Sequence, residues 1–129
     1  MNSVDSVLII EDNPIDVFIN TRVIQQSGLS QEINAQPSAR QALLFLESNA
    51  ETEKLPTIIF LDIRMPDMDG FEFLEHFDLL PESIKAKCRI VMLSSTIDPS
   101  DLEKARNNTS VLAFIPKPLT RDKVEELFA

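Results

Sequence analysis

Four short runs of aliphatic residues without polar alternation stand out along the chain. They occupy residues 7–10, 58–61, 90–93 and 111–115. Uninterrupted apolar runs of this length are typical of strands that are buried on both faces of a parallel sheet. A fifth segment, residues 32–37, alternates polar and apolar positions and ends in proline, which an exposed edge strand tolerates because one of its sides needs no amide donor. The pattern therefore predicts five strands.

The segment after the first run carries the signals of a helix. Asn13 precedes a proline, which is the usual order of an N-cap and a first helical residue. Ile15, Ile19 and Val23 then recur every four residues as an apolar stripe, and Gly28 can end the helix. Four more helices are predicted from similar signals: Ser38 with Ala39, Ala42, Leu43 and Leu46; Phe71 with Leu74 and Phe77; Asp98 with Pro99; and Thr120 with Val124, Leu127 and Phe128.

Strands and helices alternate along the chain. This order predicts a single doubly wound α/β domain over residues 1–129, with five parallel strands, five helices and right-handed crossovers, which is a flavodoxin-like architecture. Five-stranded sheets of this kind commonly have the strand order 2-1-3-4-5, and their functional crevice lies beyond the carboxyl ends of the strands, where the order reverses. Residues 79–87 are interpreted as a long surface connection.

Composition excludes several classes of function. With 12 Lys+Arg and 21 Asp+Glu, the net charge of -9 argues against direct binding to nucleic acid or to an anionic membrane surface. Two glycines, Gly28 and Gly70, are too few for a P-loop or a dinucleotide-binding motif. One cysteine excludes a multi-cysteine zinc site, and one histidine argues against a histidine-rich metal centre. No apolar stretch approaches the ~20 residues of a membrane span. The lone thiol indicates the cytoplasm as the default location.

Five polar residues follow or end the predicted strands at their carboxyl ends. Glu11 and Asp12 belong to the first strand, Asp62 to the third, Ser94 to the fourth and Lys117 to the fifth. Because the first and third strands are neighbours in the expected order, the three carboxylates converge and repel one another. A hard divalent cation such as Mg²⁺ relieves that repulsion and prefers oxygen ligands. The sequence therefore predicts a magnesium site with a lysine and a hydroxyl beside it.

Four segments of the chain resemble the landmarks of response-regulator receiver domains, the chemotaxis-regulator-like modules of two-component signalling. Residues 9–13 resemble that family's acidic pair, and residues 61–70 resemble its phosphoacceptor segment. Residues 91–95 resemble its hydroxyl segment, and residues 114–119 resemble its segment of an aromatic residue, lysine and proline. All four segments occur in order and at receiver-like spacing, so together they are highly specific.

The resemblance implies a role for each site residue. Asp62 is expected to take a phosphoryl group from a phosphohistidine of a sensor histidine kinase or a phosphotransfer protein. Asp12, Asp62 and the backbone carbonyl of Arg64 are expected to bind Mg²⁺ or Mn²⁺, with Glu11 acting largely through water. Lys117 is expected to contact the phosphoryl oxygens. Such a domain is not an enzyme in its own right, although slow self-dephosphorylation is expected.

The resemblance also implies a switch. The Ser94 hydroxyl is expected to bind the phosphoryl group and Phe114 to rotate with it. The alternative is that Phe114, which lacks the hydroxyl of tyrosine, stays fixed in the core. The signal then leaves through the fourth predicted helix, the fifth strand and the fifth helix toward an unknown downstream protein. Ser94 stands where the family more often has threonine, and Phe114 where it frequently has tyrosine.

Two other functions remain open. A pseudo-receiver would be a constitutive protein-interaction module that is never phosphorylated, which the intact acidic pair, Asp62 and Lys117 argue against. A small metal-dependent hydrolase is disfavoured by the lack of a positioned general base.

Asp67, Asp69 and Gly70 do not fit a calcium loop and are interpreted as a turn, with the glycine supplying backbone freedom. With no output domain in these residues, the chain is expected to act through protein partners or to come from a longer protein.

Overall fold

Five parallel strands form one sheet in the order β2-β1-β3-β4-β5. The computed structural model describes residues 2–96 and 98–129. The strands are β1 (Val7–Ile10), β2 (Ile33–Gln36), β3 (Ile58–Asp62), β4 (Arg89–Ser94) and β5 (Val111–Pro116). The predicted strand count, the predicted order and the edge position of β2 are confirmed. The expectation that residues 111–115 are buried on both faces is wrong, because β5 forms the other edge of the sheet and only Ile115 of this run is buried.

The described residues form six helices, one more than the sequence predicts. They are α1 (Pro14–Ser27), α2 (Ala39–Ser48), α3 (Gly70–Phe77), α4 (Glu82–Lys85), α5 (Pro99–Arg106) and α6 (Arg121–Leu127). The additional helix is α4, a single turn within the connection at residues 79–87, which buries Ile84. One turn is too short to show a helical period, so the sequence pattern does not reveal it. Side chains cap the other five helices at their N-termini: Asn13, Ser38, Asp69, Asp98 and Thr120.

The helices cover both faces of the sheet. Alternate residues of each central strand point to opposite sides, so Leu8 and Ile10 join one apolar cluster and Val7 and Ile9 join the other. The first cluster is completed by side chains of α2, α3, α4 and α5, and the second by side chains of α1 and α6. This double covering is the doubly wound arrangement that the alternating elements predict. Among the described residues, no helix has both the length and the apolar character that a bilayer crossing requires.

Helix α1 presents the first two residues of its apolar stripe to solvent, whereas the third, Val23, packs against the cluster that contains Val7 and Ile9. Ile15 and Ile19, which the sequence places on one face, are 68% and 40% exposed, and Phe18 is 65% exposed. The buried positions of the helix are Asn20 and Ile24. At about 100° per residue, Ile24 lies about 180° around the helix from Ile15. The helix therefore carries apolar residues on two sides, and the period alone does not say which side packs on the sheet.

Candidate functional site

Three carboxylates meet where β1 and β3 end. Glu11 and Asp12 follow β1 directly, and Asp62 is the last residue of β3. These strands are parallel neighbours, with Ile10 opposite Leu61, so the residues that follow lie side by side. One carboxylate oxygen from each of the three acids lies within 4.8 Å of the others. Glu11 and Asp62 are only 2% and 4% exposed, whereas Asp12 faces solvent. The sheet itself thus brings the predicted metal ligands together.

The ammonium group of Lys117 lies among these carboxylates. Its Nζ is 2.7 Å from Glu11 Oε1 and 3.1 Å from Asp62 Oδ1. A further carboxylate, that of Asp16 in α1, accepts a hydrogen bond from the same Nζ at 3.0 Å. The backbone N–H of Lys117 donates to the Ser94 carbonyl at 2.7 Å, and the peptide bond that follows Lys117 is cis. The lysine side chain is 19% exposed and is the internal counter-ion of the site.

Burial shifts the protonation equilibria of these groups. It raises the pKa of Glu11 from 4.5 to about 7, and the hydrogen bonds from Lys117 and from the Asn13 N–H oppose that rise. Burial also raises the pKa of Asp62, again against the effect of the Lys117 ammonium. For Lys117, burial lowers the pKa, but the hydrogen bonds to its carboxylate partners outweigh that effect and the net pKa is raised. One lysine therefore compensates the buried carboxylates incompletely, and a further cation would be favoured there.

Ser94, the last residue of β4, is fully buried. Its hydroxyl donates to the Thr96 carbonyl at 2.7 Å and accepts from the Thr96 N–H at 3.2 Å. Both bonds hold the side chain against its own loop. Since a hydroxyl has one proton, any acceptor on Asp62 would compete with the Thr96 carbonyl for it.

The loop after Asp62 is tied to α5 through Arg64. The Arg64 backbone carbonyl, the predicted metal ligand, belongs to this loop, while its guanidinium Nη2 donates to Asp101 Oδ2 at 2.9 Å. Asp101 lies in the first turn of α5, and its side chain is only 7% exposed. A movement of the loop at the site is therefore coupled to α5 through a partly buried ion pair.

Gly70 allows α3 to approach the backbone of the site. Its N–H donates to the Ile63 carbonyl at 2.9 Å, and a Cβ at this position would lie 2.9 Å from the Asp62 carbonyl oxygen and from Ile63 Cα. The positive φ of this loop, 69°, belongs to Asp67, whose side chain pairs with Arg40. The interpretation that Gly70 supplies freedom to the turn is therefore wrong. Glycine is required there because a side chain has no room.

Phe114 lies in β5 between two surface clefts and is half-buried. A cleft of about 260 Å³ on one side is shared with Leu102 and Ala105 of α5. A cleft of about 500 Å³ on the other side is shared with Lys123 and Leu127 of α6. The ring thus occupies the surface formed by α5, β5 and α6, which the sequence predicts as the output face.

Sequence reasoning missed two acidic side chains at the site, Asp16 and Asp101. Both lie in the first turn of a helix, where an acid is already explained by the helix dipole. The available signal for Asp16 was its place in the first turn of the helix that follows the acidic pair Glu11 and Asp12. Asp101 had no comparable signal, because its partner Arg64 lies 37 residues away in the sequence.

Comparison with known proteins gives a consistent result. Residues 7–129 match the family model of the response regulator receiver domain. The chain is 30% identical over 115 residues to the probable methanogenesis regulatory protein FilR2 of Methanothrix harundinacea. The aligned region covers 88% of this chain and 72% of that protein. It is 27% identical over 123 residues to histidine kinase CKI1 of Arabidopsis thaliana, covering 89% of this chain and 11% of that protein. A two-component response regulator from Cytophaga hutchinsonii superposes with a TM-score of 0.90 and 33% identity, over 98% of this chain and 95% of that chain.

The fold defines a flavodoxin-like α/β module with an acidic crevice at the carboxyl edge of its sheet. The family match is more specific: the chain belongs to the response regulator receiver domains. These domains are signalling modules of two-component systems and are generally not enzymes. Related sequences occur both in regulators and, as a small part of a longer chain, in histidine kinases. The family predicted from the four sequence landmarks is confirmed.

Proposed function

We propose that this receiver domain, residues 1–129, is phosphorylated on Asp62 by a histidine kinase or phosphotransfer protein and that phosphorylation changes its protein contacts. The observation that carries the proposal is the surroundings of Asp62. Its carboxylate ends the central strand β3, with Glu11 and Asp12 beside it and the Lys117 ammonium 3.1 Å away. A nucleophile, a set of oxygen ligands and a cation are thereby within reach of one phosphoryl group.

The proposed reaction is a transfer between two side chains. An Asp62 oxygen forms a bond to phosphorus while the bond from phosphorus to the partner's histidine nitrogen breaks, and that nitrogen keeps the electron pair. A carboxylate is a weak nucleophile, so the rate depends mainly on positioning and on neutralising the phosphoryl oxygens. Lys117, already held at the site, supplies one positive charge for those oxygens.

The carboxylates fit a divalent cation. Their oxygens are hard ligands, they converge within 4.8 Å, and the raised pKa values of Glu11 and Asp62 reflect burial that one lysine does not fully compensate. We infer that Asp12, Asp62 and the Arg64 carbonyl hold Mg²⁺ or Mn²⁺, with Glu11 acting largely through water. When bound, such an ion supplies further positive charge for the phosphoryl oxygens.

The proposed switch begins at Ser94. A phosphoryl group on Asp62 adds acceptor oxygens that compete with the Thr96 carbonyl for the Ser94 proton. Movement of the Ser94 side chain then vacates space behind β4 into which the Phe114 ring can rotate, which changes the surface of α5, β5 and α6. A downstream protein that binds this surface distinguishes the two states.

A protein donor is supported by the surface next to the site. Ile15, Phe18 and Ile19 are exposed apolar residues of α1, and Asp16 between them contacts Lys117. An apolar surface beside an acidic crevice suits a protein that must deliver a phosphohistidine into that crevice. We infer that the histidine-containing partner docks on this side of the domain.

Intact-mass measurement after incubation with acetyl phosphate and Mg²⁺ tests the phosphorylation. The wild-type protein is expected to gain one phosphoryl group and the Asp62→Asn variant none. Asp67→Asn is the matched control, because it removes an exposed carboxylate from the same loop at a positive φ that asparagine tolerates. Equal labelling of Asp62→Asn would refute the assignment of the residue. No labelling of a wild-type protein that binds Mg²⁺ would favour a pseudo-receiver.

A further inference from the structure

Asp16 gives Lys117 a partner that the metal site does not use. The lysine contacts three carboxylates, those of Glu11, Asp16 and Asp62. The carboxylates that converge as cation ligands are Glu11, Asp12 and Asp62. Two acids, Glu11 and Asp62, are therefore shared between the lysine and a metal ion, and Asp16 belongs to the lysine alone.

Sharing creates a conflict between two cations. A divalent ion that engages Glu11 and Asp62 withdraws negative charge from the Lys117 ammonium and also repels it. If the lysine had no other partner, it would either weaken ion binding or leave the site for solvent. Its Nζ hydrogen bond to Asp16 Oδ2, at 3.0 Å, gives the lysine a partner at the site, so it neither competes with the ion nor moves into solvent.

The position of Asp16 suits this task. It lies in the first turn of α1, where the Asn13 side chain accepts from the backbone N–H of Asp16, so its backbone is fixed independently of β1 and β3. Its side chain is 33% exposed, compared with 2% for Glu11, so its charge costs less to keep in the absence of a second cation. Lys117, at 19% exposure, bridges the helix and the sheet edge.

We propose that Asp16 is a positioning residue for Lys117, which keeps the ammonium at the site while a divalent cation occupies the carboxylates that the two cations share. This inference rests on the proposed metal site. It adds a residue of α1 to a group whose other members end or follow strands, and it makes Mg²⁺ affinity depend on a carboxylate that does not bind the ion.

A double-mutant cycle measures this dependence. Mg²⁺ affinity is determined by calorimetry for the wild type, Asp16→Asn, Lys117→Met and the double variant. Asp16→Asn is expected to weaken Mg²⁺ binding about five- to tenfold when Lys117 is present, because the lysine then competes for the shared acids. In the Lys117→Met background the same substitution is expected to change affinity by less than about twofold, because no competitor remains.

Two controls separate positioning from general electrostatics. Asp122→Asn removes the same charge from the first turn of α6 and is expected to leave Mg²⁺ affinity within about twofold. Asp16→Glu retains a carboxylate and is expected to restore most of the affinity. The Lys117 ammonium signal in ¹⁵N NMR gives a readout independent of the ion's affinity. Its hydrogen exchange is expected to stay slow on adding Mg²⁺ to the wild type and to accelerate in Asp16→Asn.

The outcomes distinguish the inference from the function on which it rests. Equal loss of Mg²⁺ affinity on Asp16→Asn with and without Lys117 would show an effect of net charge alone and would overturn the positioning role. Unchanged exchange of the Lys117 ammonium in Asp16→Asn would overturn it as well. Absence of Mg²⁺ binding to the wild-type protein would instead refute the metal site itself, and the inference with it.

Discussion

Buried Glu11 is expected to make the metal-free domain less stable as the pH rises. The carboxylate is 2% exposed, and burial raises its pKa from 4.5 to about 7 in the folded protein. Between these values the folded state keeps a proton that the unfolded chain has released. The stabilisation is therefore fully present below pH of about 4.5 and is lost as the pH rises through about 7.

The size of the effect follows from the same values. At about 1.4 kcal/mol for each pKa unit, the rise to about 7 corresponds to about 3 kcal/mol of unfolding free energy. Glu11→Gln removes this titration and retains an oxygen that can accept from Lys117. The wild type and the variant should therefore differ by about 3 kcal/mol more at pH 8 than at pH 4.5, with the variant favoured at the higher pH. Asp62 remains titratable in the variant, but its pKa depends in part on Glu11, so the difference reports the titration of the pair.

Urea unfolding in EDTA, followed by circular dichroism, measures these free energies across the pH range. The protein has no tryptophan or tyrosine, so near-ultraviolet fluorescence is a poor probe. Glu75→Gln, an exposed position on α3, is the matched control and should run parallel to the wild type. Parallel profiles for Glu11→Gln and the wild type would refute the argument, because Glu11 would then not titrate in this window. Saturating Mg²⁺ should flatten or invert the wild-type profile, since the ion binds the ionised carboxylate.

Other substitutions at the site have equally defined outcomes. Asp12→Ala should weaken Mg²⁺ binding yet raise the melting temperature of the metal-free protein, because one of three like charges is gone; calorimetry with and without EDTA measures both. Arg64→Ala should cost about 1–3 kcal/mol in urea unfolding, because it leaves the Asp101 carboxylate buried without its partner, and adding Asp101→Asn should recover part of that loss. Gly70→Ala should cost about 1–3 kcal/mol by the same assay and slow labelling of Asp62, because its Cβ would meet backbone at 2.9 Å.

The central strands β1, β3 and β4 were predictable because they have a single physical requirement. Apolar runs such as residues 58–61 must be covered on both faces, and a doubly wound sheet does this with alternating helices. Helix α4 was not predictable, because one turn with one buried residue, Ile84, has no period. The exposure of Ile15 and Ile19 in α1 was not predictable for a related reason. A helical period identifies apolar stripes but does not show which of two stripes packs on the sheet. In α1 the buried side is that of Ile24, whose contacts involve residues distant in sequence and are therefore not visible in the local pattern.

The charged residues of the site also include some that the sequence predicts and some that it does not. Glu11, Asp12 and Asp62 were predictable because strand order alone brings the ends of β1 and β3 together. Asp16 was not, since it reaches Lys117 from a helix, over a distance set by how α1 packs on the sheet and on α6. The sequence therefore shows that acids lie near a strand end, but it does not show which of them contact the same cation.

Without a divalent ion, Lys117 is the counter-ion of carboxylates from two strands and a helix. In the proposed metal site, ion binding is an exchange in which the ion takes the strand-end acids and the lysine retains Asp16. The free energy of ion binding must include the cost of this exchange, so it depends on α1 as well as on the strand ends. A protein that docks on the exposed apolar side of α1, next to Asp16, can consequently alter ion affinity, and by linkage the ion alters its docking.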